Sequence, residues 1–106
     1  MTEITFIKSK NSFELKVEGH SGYAEKGKDI ACAGASTLVV SLANMLEESG
    51  FKFKIPPLVI IKEGYALICA YPKKQYFREI EAVFTTIMCG FKWLSEEFNE
   101  NIKFCN

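Results

Sequence analysis

The sequence predicts an α+β fold in which a mostly antiparallel sheet of four or five strands carries two long helices on one face. Short segments are apolar at every second position or throughout, which is typical of strands, and two longer segments repeat apolar residues at helical spacing. They follow in the order strand, strand, helix, strand, strand, helix, with a candidate strand at the end, so that hairpins join neighbouring strands. The 106 residues suit a single domain spanning 1–106.

The first hairpin is predicted at the start of the chain. Residues 3–8 are predicted to form a strand in which Ile4 and Phe6 share one face, and Ser9-Lys10-Asn11 makes a turn. The segment FELKVE at 13–18 alternates strictly, which predicts a strand with one face in the core. The inward residues are Phe13, Leu15 and Val17; the outward residues are Glu14, Lys16 and Glu18.

Two long helices are expected. The first begins at Asp29, a residue preferred as an N-cap, and runs to about Ser49, where Gly50 ends it. The second runs from about Lys74 to Asn99. Their apolar stripes comprise Ala31, Ala35, Leu38, Leu42, Met45 and Leu46 in the first, and Ile80, Val83, Phe84, Ile87, Phe91, Leu94 and Phe98 in the second.

A second hairpin lies between the helices and follows Pro56-Pro57. LVIIKE at 58–63 turns at Glu63-Gly64 into YALICAY at 65–71, and IKFC at 102–105 is the candidate edge strand. The LVII and ALICA segments are apolar on both faces, and a sheet buried on both sides needs a second cover. That cover is either a partner subunit or, if these strands are central, the long side chains of their neighbours.

Composition excludes several classes of function. Thirteen basic residues balance thirteen acidic ones, and no basic stretch interleaves with aromatic residues, so we expect no nucleic acid partner. The start, MTEITFIKSK, has no charged segment before a long apolar one, and no uninterrupted apolar run reaches the length of a membrane span, so neither secretion nor a membrane partner is expected. The cysteines at 32, 69, 89 and 105 form no C-x-x-C pair. They indicate reduced thiols in the cytoplasm, with no metal and no cofactor.

The loop GYAEKGKD at 22–29 has almost the glycine spacing of a phosphate-binding loop. Asp29, however, stands where such a loop requires Ser or Thr to hold magnesium, and it would place a negative charge where phosphate must bind. The predicted hairpins also differ from the parallel sheet of nucleotide-binding folds. We therefore do not favour a nucleotide-binding function.

The same loop joins the chain's one histidine to a cysteine at a helix start. With Asp29 as the cap, Cys32 is the third helical residue and lies near free backbone N–H groups, which favour a thiolate. A helix end stabilises an anion by only about 0.3 to 1 kcal/mol, and Asp29 opposes it. An imidazolium partner is therefore needed, and His20 continues the polar edge of the second strand at the other end of the loop.

Each of these residues also has a plain structural interpretation. Cys32 could be a small core residue of a tightly packed helix, His20 a surface residue, and the glycines turn formers. Cys69 and Cys89 are predicted to be core residues, and Cys105 to be inert near the terminus. The coincidence of helix start, glycine loop and histidine is what favours chemistry at Cys32.

The segment GHSGYAEKGKDIACAGAS at 19–36 resembles the signature G-H-x-G-Y-A-x-x-G-x-D-I-x-C-A-x-x-S of the ribosomal-processing cysteine protease (Prp) family. Every fixed position is matched: Gly19, His20, Gly22, Tyr23, Ala24, Gly27, Asp29, Ile30, Cys32, Ala33 and Ser36. Ser21 and Gly34 stand where Ala is common, and Gly34 costs the helix about 1 kcal/mol relative to Ala. Outside this segment the family resemblance is one of length and element order.

The resemblance implies a homodimeric endopeptidase that removes a short N-terminal extension from large-subunit ribosomal protein twenty-seven. It maps the nucleophile to Cys32 and the general acid/base to His20, with Asp29 and Ser36 as supporting residues. Backbone N–H groups of Cys32 and Ala33 are the expected oxyanion donors. Asp29 either caps the helix or orients the imidazole, and Ser36 either bonds within the site or bonds back to the Cys32 carbonyl.

The loop at 21–28 is expected to act as a lid over the substrate. Gly22 and Gly27 would be its hinges, Tyr23 would pack on an apolar substrate, and Gly19 would let the chain turn before it. The alternative from another class is a non-catalytic, ribosome-associated module in which this loop only grips a peptide.

Overall fold

The computed structural model describes residues 1–25 and 29–105, and these residues form a five-stranded sheet with two helices. The α+β prediction and its element order are confirmed. The elements are β1 (Thr2–Lys8), β2 (Phe13–Glu18), α1 (Ile30–Glu48), β3 (Leu58–Lys62), β4 (Tyr65–Ala70), α2 (Phe77–Glu97) and β5 (Ile102–Phe104). Single 3₁₀ turns at Gly50–Lys52 and Lys74–Tyr76 follow α1 and precede α2.

The strands are arranged in the order β3-β4-β2-β1-β5. Each pair is antiparallel except β1 and β5, which run parallel because β5 returns to the sheet after α2. The pairing of Glu18 with Tyr65 places the end of β2 beside the turn between β3 and β4. This register brings the loop after β2 close to a segment more than forty positions later in the chain, and it determines where the site forms.

One apolar core lies between the sheet and the helices. The inward side chains of β2 pack with the apolar faces of both helices, as the alternation of FELKVE predicts. At its centre Phe13 stacks with Phe84 at 5.0 Å and with Phe77 at 4.9 Å between ring centroids. In α1 the buried residues are Ala31, Ala35, Val39, Leu42, Ala43 and Leu46. The small residues at 31 and 35 let the start of the helix lie close to the sheet.

Helix α1 has the length and hydropathy of a membrane-crossing helix, with a mean hydropathy of 1.5 over eighteen residues. The sequence-based expectation considered uninterrupted apolar runs and did not anticipate this window. A helix in the core of a soluble protein has the same properties, and the buried face of α1 belongs to the core. A third of the window is buried inside the structure.

Strand β3 lies at the edge of the sheet, so the interpretation that places it centrally is wrong. Four of its five side chains are exposed, among them Leu58, Ile60 and Ile61. Leu58 and Ile60 pair with Cys69 and Leu67, which places them on the sheet face opposite the helices. These apolar side chains of β3 are therefore not covered by the helices, and another surface is needed to bury them.

Candidate active site

Cys32 is the third residue of α1, as the sequence predicts. Asp29 is the N-cap of the helix in extended conformation, with φ −83° and ψ 97°, and its Oδ1 accepts a hydrogen bond from the Cys32 N–H at 2.9 Å. This bond satisfies one of the unpaired donors at the helix start. Cys32 is half-buried, and it lines the groove described below.

The second oxygen of Asp29 binds the loop that follows β2. The Ser21 hydroxyl donates to Oδ2, as do the N–H groups of Tyr23 at 3.2 Å and Ala24 at 3.5 Å. Partial burial raises the pKa of the Asp29 carboxyl, but hydrogen bonds from the Ser21 hydroxyl and three backbone N–H groups outweigh burial and leave that pKa below its ordinary value. Asp29 therefore ties the loop to the helix start as an anion.

The geometry of Asp29 fits the role of helix cap and not that of a residue that orients the imidazole. Both carboxylate oxygens are engaged by the helix and the loop, and within residues 1–25 and 29–105 neither bonds to His20. A carboxylate that orients an imidazole must accept from one of its ring nitrogens. The orientation of the His20 ring thus has another origin.

His20 lies two residues beyond β2 and its side chain is exposed. Gly19 precedes it with φ +101°, and a Cβ at that position would overlap the Met1 carbonyl oxygen. The Gly19 N–H donates to the Gly64 carbonyl at 2.8 Å, and the Met1 ammonium donates to the His20 carbonyl at 2.5 Å. These contacts fix the main chain on both sides of His20, so only its side chain has freedom of position.

His20 and Cys32 line the same open groove, which has a volume of about 640 Å³. Asp29 and Ser36 also line it. A smaller apolar cavity of about 90 Å³ adjoins Cys32 on its other side and is bounded by Val17, Val39, Val40, Ile61 and Tyr65, among others. The residues shared by the groove and the cavity are Cys32, Ser36, Lys62 and Gly64. Cys32 therefore borders both the groove and the smaller apolar cavity.

Ser36 is exposed on the same face of α1 as Cys32. Its hydroxyl has no hydrogen bond to any residue that the structure describes, so it does not bond back to the Cys32 carbonyl. The next residue, Thr37, does make such a bond, from its hydroxyl to the Ala33 carbonyl at 2.8 Å. The Ser36 hydroxyl is thus available to a molecule in the groove.

The two N–H groups predicted as oxyanion donors are not free in this structure. The Cys32 N–H donates to the Asp29 side chain at 2.9 Å, and the Ala33 N–H donates to the Asp29 carbonyl at 3.0 Å. The cap and the first turn of the helix use both groups.

In the described part of the loop, residues 21–25, Ser21 and Tyr23 contact the end of α2 and the segment that follows it. Ser21 is buried, and its carbonyl accepts from the Asn101 side chain at 2.9 Å. The Tyr23 ring packs edge to face on Phe98 at 4.9 Å, and so lies against the end of α2. Gly22 is exposed. The predicted hinge at Gly27 lies outside the described residues, and the lid stays a prediction.

The remaining cysteines are in different surroundings. Cys89 is exposed, which corrects its predicted core position, because it lies on the outer side of α2. Cys69 is buried as predicted, on the sheet face opposite the helices, and its thiol lies 3.6 Å from Glu14 Oε1. Burial, followed by the charge of Glu14 and the hydrogen bond to it, raises the pKa of the Cys69 thiol. Cys105 is exposed near the end of the chain.

Sequence reasoning missed the third wall of the groove, which is the turn between β3 and β4. Lys62, Glu63 and Gly64 all line the groove. The Glu63-Gly64 turn itself was predictable from its residue types. Its position beside His20 depends on the pairing of β2 with β4, which no local pattern specifies. In the described part of the chain, no group of three or more His, Cys, Asp or Glu side chains could hold a metal ion.

Comparison with known proteins identifies the class of this fold and groove. A family model described as cysteine protease Prp matches residues 1–103, and the chain belongs to that family of cysteine proteases. A search of curated proteins found no match.

Solved structures share the fold. The essential ribosomal processing protease Prp from S. aureus, in complex with a covalently linked product peptide, superposes with a TM-score of 0.78 at 22% identity, covering 98% of this chain and 97% of that one. The same enzyme in complex with a substrate peptide gives 0.71 at 20% identity, with 98% and 97% covered. SMU.848 from Streptococcus mutans gives 0.72 at 25% identity, covering 98% and 91%.

Proposed function

We propose that this cysteine protease is an endopeptidase that removes a short N-terminal extension from large-subunit ribosomal protein twenty-seven, with Cys32 as nucleophile and His20 as general acid and base. The observation that carries the proposal is that both side chains line one open groove, with Cys32 at a helix start. The family supports the reaction class. The S. aureus relative is a ribosomal processing protease with a peptide substrate, which supports the substrate class.

In the proposed reaction, the His20 imidazole takes the proton from the Cys32 thiol. The sulfur then attacks the scissile carbonyl carbon, and a carbon–sulfur bond forms as the carbonyl becomes an oxyanion. The oxyanion collapses, the carbon–nitrogen bond breaks, and the imidazolium gives its proton to the leaving amine. Water, deprotonated by the same imidazole, hydrolyses the thioester and restores the thiol.

The groove offers two polar side chains beside Cys32 that can donate to the oxyanion. The Ser36 hydroxyl has no partner among the described residues, and Lys62, whose ammonium lies 5.4 Å from the centroid of the Tyr65 ring, also lines the groove. Each borders both the groove and the apolar cavity, as Cys32 does. We assign oxyanion stabilisation to these side chains, since the helix-start N–H groups are occupied.

The apolar cavity suits a substrate side chain next to the cut. Its walls combine aliphatic residues of β2, α1 and β3, and it adjoins the sulfur. An apolar substrate side chain entering it would hold the neighbouring carbonyl at Cys32 and would gain free energy from leaving water.

The test is incubation with a peptide that spans the junction between extension and mature protein, followed by mass analysis. Wild type should yield two fragments and, at short times, a chain heavier by the acyl fragment at Cys32. Cys32→Ala should yield neither, whereas Cys89→Ala, which changes an exposed cysteine away from the groove, should cleave like wild type. Binding of the intact peptide without cleavage by wild type would support the non-catalytic module instead.

We also propose that the protein acts as a homodimer in the cytoplasm. The support is the exposed apolar edge strand β3, whose Leu58 is 46% and whose Ile60 is 38% exposed. An unpaired apolar edge is a liability unless another surface covers it. A second copy can cover it symmetrically, since the same strand on both copies is self-complementary.

A further inference from the structure

The imidazole of His20 lies directly against Gly64. A Cβ added at Gly64 would be 2.9 Å from Nε2 and 3.3 Å from Cε1 of the His20 ring. Both separations are shorter than the roughly 3.5 Å at which such atoms attract one another. Any side chain at position 64 would therefore push the ring from its place, and an exposed ring can turn away without disturbing the core.

Gly64 also holds the main chain that leads to His20. Its carbonyl accepts the Gly19 N–H at 2.8 Å, directly after the pairing of Glu18 with Tyr65. One residue thus fixes the position of the backbone before His20 and provides the surface on which the ring rests. Because Gly64 lines the groove together with His20 and Cys32, the ring rests within the site rather than outside it.

A catalytic imidazole needs something that orients it, and in many dyads and triads a carboxylate does so. Here the Asp29 carboxylate is engaged by the helix start and by the loop. No residue in the described parts of the chain makes a hydrogen bond to the His20 ring. Contact with Gly64 is what the structure offers in its place.

We propose that Gly64 is a positioning residue for His20, and that its missing side chain leaves the space in which the imidazole rests beside the Cys32 groove. The inference depends on the role that the proposed function gives His20. It adds a residue outside the 19–36 segment to the machinery of the reaction, and that residue acts through His20.

A competing explanation for Gly64 is its backbone alone. Its φ is +72°, in the left-handed region, and the two-residue turn between β3 and β4 requires such a residue. Asparagine separates the two explanations, since it tolerates this conformation better than other residues but carries a Cβ. Gly64→Asn should strain the backbone less but still displace the His20 ring. Gly64→Ala should both strain the backbone and displace the ring.

The experiment measures the rate of Cys32 alkylation by iodoacetamide between pH 5 and 9, with the site of modification determined by mass. Gly64→Ala and Gly64→Asn should both react at least about tenfold more slowly than wild type at pH 6. Their curves should approach that of His20→Ala. Gly50→Ala, where the added Cβ meets no atom within 4 Å, should follow wild type. Thermal unfolding, recorded alongside, should place Gly64→Asn closer to wild type than Gly64→Ala.

Wild-type alkylation in Gly64→Asn, with a defect only in Gly64→Ala, would assign the residue to the turn and overturn the inference. Wild-type curves in both variants would do the same. If His20→Ala also leaves the curve unchanged, the dyad of the proposed function fails and the inference fails with it. If His20→Ala shifts the curve and the Gly64 variants do not, the dyad stands and only the contact with Gly64 is refuted.

Discussion

The side chain of Asp29 accepts a hydrogen bond from the backbone N–H of Cys32 at 2.9 Å. The residue that starts α1 therefore also fixes the main chain of the proposed nucleophile. The same carboxylate binds Ser21, so the helix start and the loop after β2 share one anion. Removing that anion should affect the two together.

Asp29→Ala should destabilise the protein by about 1 kcal/mol, the usual cost of losing an N-cap side chain. Urea unfolding followed by far-ultraviolet circular dichroism measures this cost. Thr37→Ala, which removes a hydroxyl from the exposed face of the same helix, is the control and should cost less. Equal stabilities of Asp29→Ala and wild type would show that the cap bond contributes nothing.

The stabilisation by Asp29 should depend on pH. The pKa of its carboxyl is lower in the folded protein than its ordinary value, so the unfolded chain binds the proton more tightly. The contribution is complete above the ordinary value of about 3.9, and it is lost as pH falls through the lowered value. Wild type should therefore exceed Asp29→Asn in stability at pH 6 by a margin that shrinks below pH 4. A margin independent of pH between 2 and 6 would contradict this account.

The helix start was predictable because a cap is a local signal, in which Asp29 precedes the apolar stripe of α1. The expectation that the oxyanion donors are free failed for the same reason. A side chain that caps the helix uses the Cys32 N–H that was assigned to the substrate. The sequence shows which donors a helix start has, but not which of them its own cap occupies.

Long-range pairings account for what the sequence did not reveal. The parallel pairing of β5 with β1 and the edge position of β3 depend on which strands meet, and alternation within a strand carries no such information. The contact of Gly64 with His20 arises from the register of β2 on β4. The exposure of Cys89 follows from how far α2 is rotated, which its mixed apolar pattern left open.

Ser36→Ala should lower kcat for peptide cleavage by about 10- to 1,000-fold if its hydroxyl stabilises the oxyanion. Stability should change little, because that hydroxyl has no hydrogen bond within the described chain. The control is Ser41→Ala, an exposed serine farther along α1, which should leave kcat unchanged. A kcat for Ser36→Ala within twofold of wild type would transfer the role to Lys62, which Lys62→Met then tests.

Ile60→Lys should convert the proposed dimer to a monomer, because it places a charge in the apolar edge strand that a second copy would cover. Sedimentation velocity of wild type and variant measures the change. Trp93→Lys is the matched control, since Trp93 is an exposed apolar residue of α2, in the helical layer. A monomeric wild type at micromolar concentration, or a dimer that survives Ile60→Lys, would be inconsistent with an interface at β3.

The account depends most on an ionised Cys32 paired with His20, and selective alkylation measures this directly. At pH 6 an ordinary thiol is only about 0.3% thiolate, and burial beside Glu14 raises the pKa of Cys69 further. We predict that iodoacetamide at pH 6 modifies Cys32 while Cys69, Cys89 and Cys105 remain unmodified, and that His20→Ala abolishes this preference. The prediction would be contradicted if Cys32 and Cys89 of the wild type were modified equally slowly and His20→Ala did not change their rates.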